Sequence, residues 1–254
     1  MSIIQGTAKG GSTGEFYDYP IGDSFRFDGT SSYLSRTPST AGNRKTWTWS
    51  GWVKRGNIGL ERGIFSVGAS AANFALFFHS SDQLRIWTNN GNASIYTNAV
   101  YRDLSAWYHI VLQSSNVSPY FNLYVNGEKI TSFSLDGRAT YPSTNDTEVN
   151  SIDTHRLGAW YNGALQTFNG YLANIQFIDG QALDASYFGE TKDDIWIPKT
   201  FDGTSSTGGS TVSTDYGTNG FLLDFSSISG TTINDTAPID TNHSSANNWT
   251  ATGF

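Results

Sequence analysis

The chain has 254 residues, no cysteine, and 15 Lys and Arg against 22 Asp and Glu, for a net charge of -7. That excludes a disulfide framework and a thiolate metal site, and the lack of a basic face argues against a nucleic-acid partner. Charged residues are only 15% and aromatics another 15%, the composition of many short strands joined by turns.

No run approaches the ~20 apolar residues of a membrane-spanning helix, and the opening MSIIQGTAKGG lacks the apolar core of a secretory signal. The chain is therefore expected to be soluble, with no membrane partner. Residues 1–23 are punctuated by Gly6, Gly10, Gly11, Gly14 and Gly22 and read as an extended arm that orders only against a partner.

From Ser24 the rhythm is that of β-structure. SFRFDG places Phe25 and Phe27 on one face before a turn at Asp28-Gly29. TWTWSGWVK places Trp47, Trp49, Gly51 and Val53 on one face, and Thr46, Thr48, Ser50 and Trp52 on the other, because successive strand residues alternate. GIFSVG, NFALFFH and QLRIWT follow, the last with Leu84, Ile86 and Thr88 in step. WYHIVLQ sets Trp107, His109, Val111 and Gln113 opposite Tyr108, Ile110 and Leu112. In YFNLYVNGEKI the pair Asn126-Gly127 predicts a type I′ hairpin, since both residues tolerate positive φ.

THRLGAW and TFNGYLANIQFID complete the series, with turn signals about every dozen residues, and predict an all-β, two-sheet antiparallel sandwich. One short helix is expected near 182–189, capped by Asp184 and ended by Gly189. Residues 201–220 are rich in Gly, Ser and Thr and read as a linker. FLLDF reads as a last strand, and the polar tail ends in Trp249 and Phe254, which predict that it docks.

The order FRFDGTSSYLSR, WTWSGWVKRG, WYHIVLQSSNVSPYFNLYVNGEKI and HRLGAWYNGALQTFNGYLANIQFIDGQALDASYFGE resembles the laminin-G-like branch of the concanavalin A-like lectin/glucanase superfamily over roughly residues 24–190. The resemblance implies a jelly roll spanning 24–200, with 201–254 as a linker and tail packed on it or on a neighbour. The beginning of the chain, through EFYDYPIGDSFRFDGTSSYLSRTPSTAGNRKTWT, is similar to structural proteins of marine tailed phages. Asp240 and Asn247-Asn248-Trp249-Thr250 match the joins between modules in those proteins, but their two glycines are replaced in HSSA, residues 243–246.

Glucanases of the superfamily carry Glu-x-Asp-x-Glu, because retaining hydrolysis needs two carboxylates ~5 Å apart. The motif is absent. Glu15, Glu61, Glu128, Glu148 and Glu190 stand singly, and the adjacent Asp193-Asp194 would point to opposite faces of a strand, so the chain is expected to be non-enzymatic. His79, His109, His155 and His243 lack metal-ligand spacing. Calcium is the one credible metal, with Asp240 and Asn242 as oxygen ligands by resemblance to the join motif, against the alternative of ordinary Asx turns.

Sugar binding calls for exposed aromatic platforms beside Asn, Asp or Arg. Trp160 and Tyr161 in GAWYNG are the first candidates, and Trp87 and Tyr96, flanking TNNGNAS, the second. The competing reading places these rings in the core or an interface. Two functions are thus expected: a virion component exposed on a phage head or tail, oligomeric and anchored to other virion proteins by its arm, or an adhesin for host polysaccharide on the same fold.

Overall fold

The computed structural model describes residues 19–68, 74–88, 93–139, 146–207, 211–240 and 242–254. Most of the 1–23 arm therefore lies outside the described residues. The strands in chain order begin with β1 (Phe25–Asp28), β2 (Tyr33–Arg36), β3 (Trp47–Arg55), β4 (Arg62–Val67), β5 (Phe74–Phe78), β6 (Gln83–Thr88) and β7 (Ala93–Val100). Then come β8 (Tyr108–Ser114), β9 (Phe121–Val125), β10 (Glu128–Lys129), β11 (Phe133–Asp136), β12 (His155–Leu157), β13 (Ala159–Asn162) and β14 (Ala164–Thr167). The last are β15 (Asn169–Asp179), β16 (Gly189–Lys192), β17 (Ile195–Pro198), β18 (Phe221–Leu223), β19 (Ile228–Ser229), β20 (Thr232–Ile233) and β21 (Trp249–Thr252).

Two antiparallel sheets make the sandwich predicted from the sequence. One has the order β1-β15-β3-β8-β9-β10, with β18 also on β15; the other runs β11-β7-β6-β5-β4-β12-β2-β21-β20-β19. Alternation fills the space between them. Trp47, Trp49 and Val53 of β3 and Ile110 and Leu112 of β8 meet Phe74, Leu76 and Phe78 of β5 and Leu84 and Ile86 of β6. Most of these side chains have no solvent exposure, and each buried large apolar group contributes about 1.5–3 kcal/mol.

Asn126 and Gly127 have φ of 49° and 83°, the two positive angles of a type I′ turn, and they join β9 to β10. Gly127 serves packing as well. A Cβ there would come within 2.4 Å of the Trp196 ring, so the β16–β17 hairpin settles over the outer face of the first sheet. Trp196 Nε1 donates to His109 Nδ1 at 2.9 Å, which leaves the His109 proton on Nε2, 2.9 Å from Ser50 Oγ. Val111, Tyr124, Ile178, Leu183, Phe188, Phe201 and Tyr216 form a second apolar layer on the same face.

The helix expected over 182–189 is a single 3₁₀ turn, Ala185–Tyr187. Asp184 caps it by accepting from Ser186 N at 2.9 Å, but Gly189 opens strand β16 instead of ending a helix, because residues 189–192 pair with 195–198. Residues beyond 220 enter both sheets: β18 pairs with β15, and β21 lies between β2 and β20. Trp249 is buried against Phe221, and the Phe254 ring centroid lies 4.4 Å from that of Phe25.

Candidate ligand-binding site

The outer face of the second sheet carries what β5, β6 and β7 turn away from the core. Phe77, Arg85 and Tyr96 are register partners across the three strands, and Ala75 pairs with Trp87 one step along. The β13–β14 hairpin folds back over this face. Gly63 of β4 permits the approach, since a Cβ there would lie 2.4 Å from the backbone of Ala159 and Trp160. Ser66 Oγ donates to Ala159 O at 2.7 Å, and the Trp160 ring stacks on Phe77 at 4.4 Å and 18°.

The hairpin and the sheet enclose an open cavity of about 240 Å³ lined by Glu61, Arg85, Trp87, Trp160, Tyr161, Asn162 and Gly163. Three of the four aromatic residues named from the sequence therefore share one site. Trp160 is only 5% exposed and forms its wall, whereas Trp87 and Tyr161 are half-buried. Tyr96 lies outside the lining but beneath it, with the Arg85 guanidinium 4.2 Å above its ring.

The polar members Glu61, Arg85 and Asn162 were not singled out from the sequence. Arg85 stands two residues before Trp87 in QLRIWT, and strand alternation alone would have placed both on one face. Trp160 Nε1 and Arg85 Nε have no hydrogen-bond partner among the described residues. Glu61 Oε1 is 3.6 Å from His79 Nε2. Such a concave site, mostly aromatic with a few convergent polar groups, can stack an apolar ring face and hydrogen-bond its substituents.

Asp240 and Asn242 sit elsewhere, near Asp215. Asp240 Oδ1 accepts the backbone N–H of Asn242 at 2.9 Å and of His243 at 2.8 Å, an Asx turn, and these bonds hold its carboxyl below the usual carboxylate range. Asn242 donates its amide nitrogen to Asp215. Among the described residues no three His, Cys, Asp or Glu side chains cluster as metal ligands.

The histidines other than His79 are interior groups. Burial pushes the His109 imidazole down to about 3 and that of His155 to about 4, so both are neutral. His243 Nε2 lies 3.0 Å from Asp235 Oδ2, both side chains being fully buried, and that carboxylate raises the His243 pKa.

Residues 28–186 match the family model Laminin_G_3, described as concanavalin A-like lectin/glucanases superfamily. No curated protein sequence matched the chain. Among solved structures, a candidate carbohydrate-binding protein from Bacteroides ovatus ATCC 8483 is 14% identical with a TM-score of 0.57, covering 90% of this chain and 57% of that one. The native heptameric SAP-like pentraxin of Limulus polyphemus is 19% identical with a TM-score of 0.47, covering 63% of this chain and 76% of that one. The CBM40 of the Ruminococcus gnavus IT-sialidase is 15% identical with a TM-score of 0.46, covering 63% of this chain and 93% of that one. At these identities the likeness is one of fold.

Proposed function

Because the chain belongs to the concanavalin A-like lectin/glucanases superfamily, we propose that it is a non-enzymatic glycan-binding module whose site is the cavity between the β13–β14 hairpin and the outer face of β6. One observation carries this reading: Trp87 and the distant pair Trp160-Tyr161 line one open cavity with Arg85, Glu61 and Asn162. Aromatic faces suit the apolar side of a sugar ring, and the three polar side chains suit its hydroxyls. The volume is below the ~300–1,000 Å³ of sites that engulf a drug-sized ligand and favours a single sugar unit of a longer chain. The carbohydrate assignment of the Bacteroides ovatus protein of like fold points in the same direction.

Binding is preferred to hydrolysis on chemical grounds. Glu61 is the lone carboxylate in the lining, and glycoside hydrolysis of the usual kind needs two. The proposed setting is the outside of a phage particle, as head decoration or tail fibre, as an oligomer held by residues 1–23, where the glycan would be a host surface polysaccharide. That setting rests on the resemblance of the first fifty residues to phage structural proteins and is separable from the binding reading.

Affinity electrophoresis through gels cast with marine and bacterial polysaccharides tests the proposal. The parent protein is expected to be retarded by at least one polymer. Trp87→Ala and Tyr161→Ala are each expected to lose that retardation while melting at the parental temperature. Retardation that survives both substitutions would move the site elsewhere, and a parent that migrates freely in every gel would overturn the reading.

A further inference from the structure

Arg85 stands apart from the other arginines. The chain has nine. Arg26, Arg36, Arg44, Arg55, Arg62, Arg102, Arg138 and Arg156 each donate a guanidinium hydrogen bond to a protein oxygen. Arg85 donates none among the described residues, and its Nε is buried without a partner. Nor does it form an ion pair with Glu61, although both line the cavity. Its guanidinium instead rests over Tyr96 at 4.2 Å and Phe77 at 5.4 Å. The two rings hold the cation in place, while its donors stay unspent on acceptors among the described residues.

Resting on the glycan-binding reading, we infer that the site selects an acidic sugar, whose carboxylate or sulfate group is received by the Arg85 guanidinium while the sugar ring lies against Trp87 and Tyr161. A planar fork held by stacking is preorganised for the two parallel N–H to O bonds that such anions accept. Burying Nε without an acceptor costs free energy that an anionic ligand recovers. Glu61 does not cancel the cation, since it is turned to His79 Nε2 at 3.6 Å, and its oxygens remain acceptors for sugar hydroxyls. The overall charge of -7 repels polyanions in general, so selective capture of one would have to come from a local site such as this.

The test is binding of the full chain at ~0.15 M salt to dextran and dextran sulfate, which share a backbone, and to polygalacturonate and agarose. The acidic polymers are expected to bind at least tenfold more tightly than the neutral ones. Capture by polygalacturonate alone would assign a carboxylate, and by dextran sulfate alone a sulfate ester. Arg85→Gln is expected to abolish the preference, Arg85→Lys to retain only part of it, and Lys129→Gln, an equal charge change on the exposed strand β10, to leave it intact. Equal binding of neutral and acidic polymers, or a preference that survives Arg85→Gln, would overturn the inference while leaving glycan binding in place. No binding to any polymer would overturn both. The comparison on the unaltered protein stands even if Arg85→Gln fails to fold.

Discussion

Gly63→Ala isolates the contact that builds the site. Gly63 lies in β4 without a positive φ, so alanine meets no backbone strain there, only the hairpin above it. The added methyl would lie 2.4 Å from Ala159 C and Trp160 N. Ordinary carbon contact begins near 3.4 Å, so the hairpin must retreat by about 1 Å. These are main-chain atoms, and no rotamer change relieves the clash. A retreat of that size would stretch the 2.7 Å bond from Ser66 Oγ to Ala159 O to about 3.7 Å, beyond hydrogen-bond range. It would also strain the 2.8 Å bond from Gly158 N to Ile64 O. Overpacking costs about 1–3 kcal/mol and each lost bond about 0.5–1.5 kcal/mol, so a destabilisation of about 2–4 kcal/mol is expected. Urea unfolding followed by tryptophan fluorescence measures it, and glycan retardation on the same sample reports the cavity. A variant that unfolds at the parental urea concentration and binds as well as the parent would refute the claim that Gly63 seats the hairpin and that the hairpin makes the site.

Four further outcomes are expected. Trp249→Ala should cost about 3–5 kcal/mol, the usual range for emptying a buried Trp position, because this ring is 1% exposed and packs on Phe221 at 5.0 Å; thermal or urea melts check it. Acid should destabilise the fold through His109 and His155. Their folded values of about 3 and about 4 lie below the unfolded 6.5, so their contribution is complete above pH 6.5 and is lost as pH falls toward those values. At pH 4 each costs on the order of 3 kcal/mol, and His109→Gln should flatten the acid limb of a stability profile. His243 has the opposite sign: its raised value gives stability that is present below pH 6.5 and fades as pH rises through the folded pKa, so His243→Gln should destabilise more at pH 6 than at pH 9. Calcium or chelator should leave the melting temperature unchanged, because Asp240 is engaged in its Asx turn and Asn242 directs its amide nitrogen at Asp215; a calcium-dependent rise would require those two residues to rearrange.

The sandwich was legible because its core strands alternate strictly. Trp47, Trp49 and Val53, and Tyr108, Ile110 and Leu112, lie on the faces that a period of two assigns them. The layer over the first sheet was not legible. Thr48, Ser50, Trp52 and His109 are buried as well, under segments far along the chain: Thr48 Oγ1 bonds Gln181 O and Leu183 N, and Trp196 covers His109. Local alternation reports which side of a strand faces the core, and it is silent on what later covers the other side. The helix near 182–189 shrank to one turn for a related reason, since the partner strand that claims Gly189 lies beyond it.

The site divides in the same way. Its aromatic residues were visible as types, in WYNG and RIWT, but their meeting depends on a hairpin docking across β4, which Gly63 permits and Ser66 holds. Neither residue has a local signature that announces this. Arg85 was hidden by its ordinariness in sequence. What marks it is a guanidinium that meets no hydrogen-bond acceptor among the described residues, where the other eight arginines each meet one, and only the packed structure reveals that.

A crystal structure of the protein with an oligosaccharide cut from its tightest-binding polymer tests the central claim most directly. The account predicts a sugar ring against Trp87 and Tyr161, with an anionic substituent on the Arg85 guanidinium. A sugar bound at any other surface, with the cavity beside Trp160 left unchanged, would contradict it.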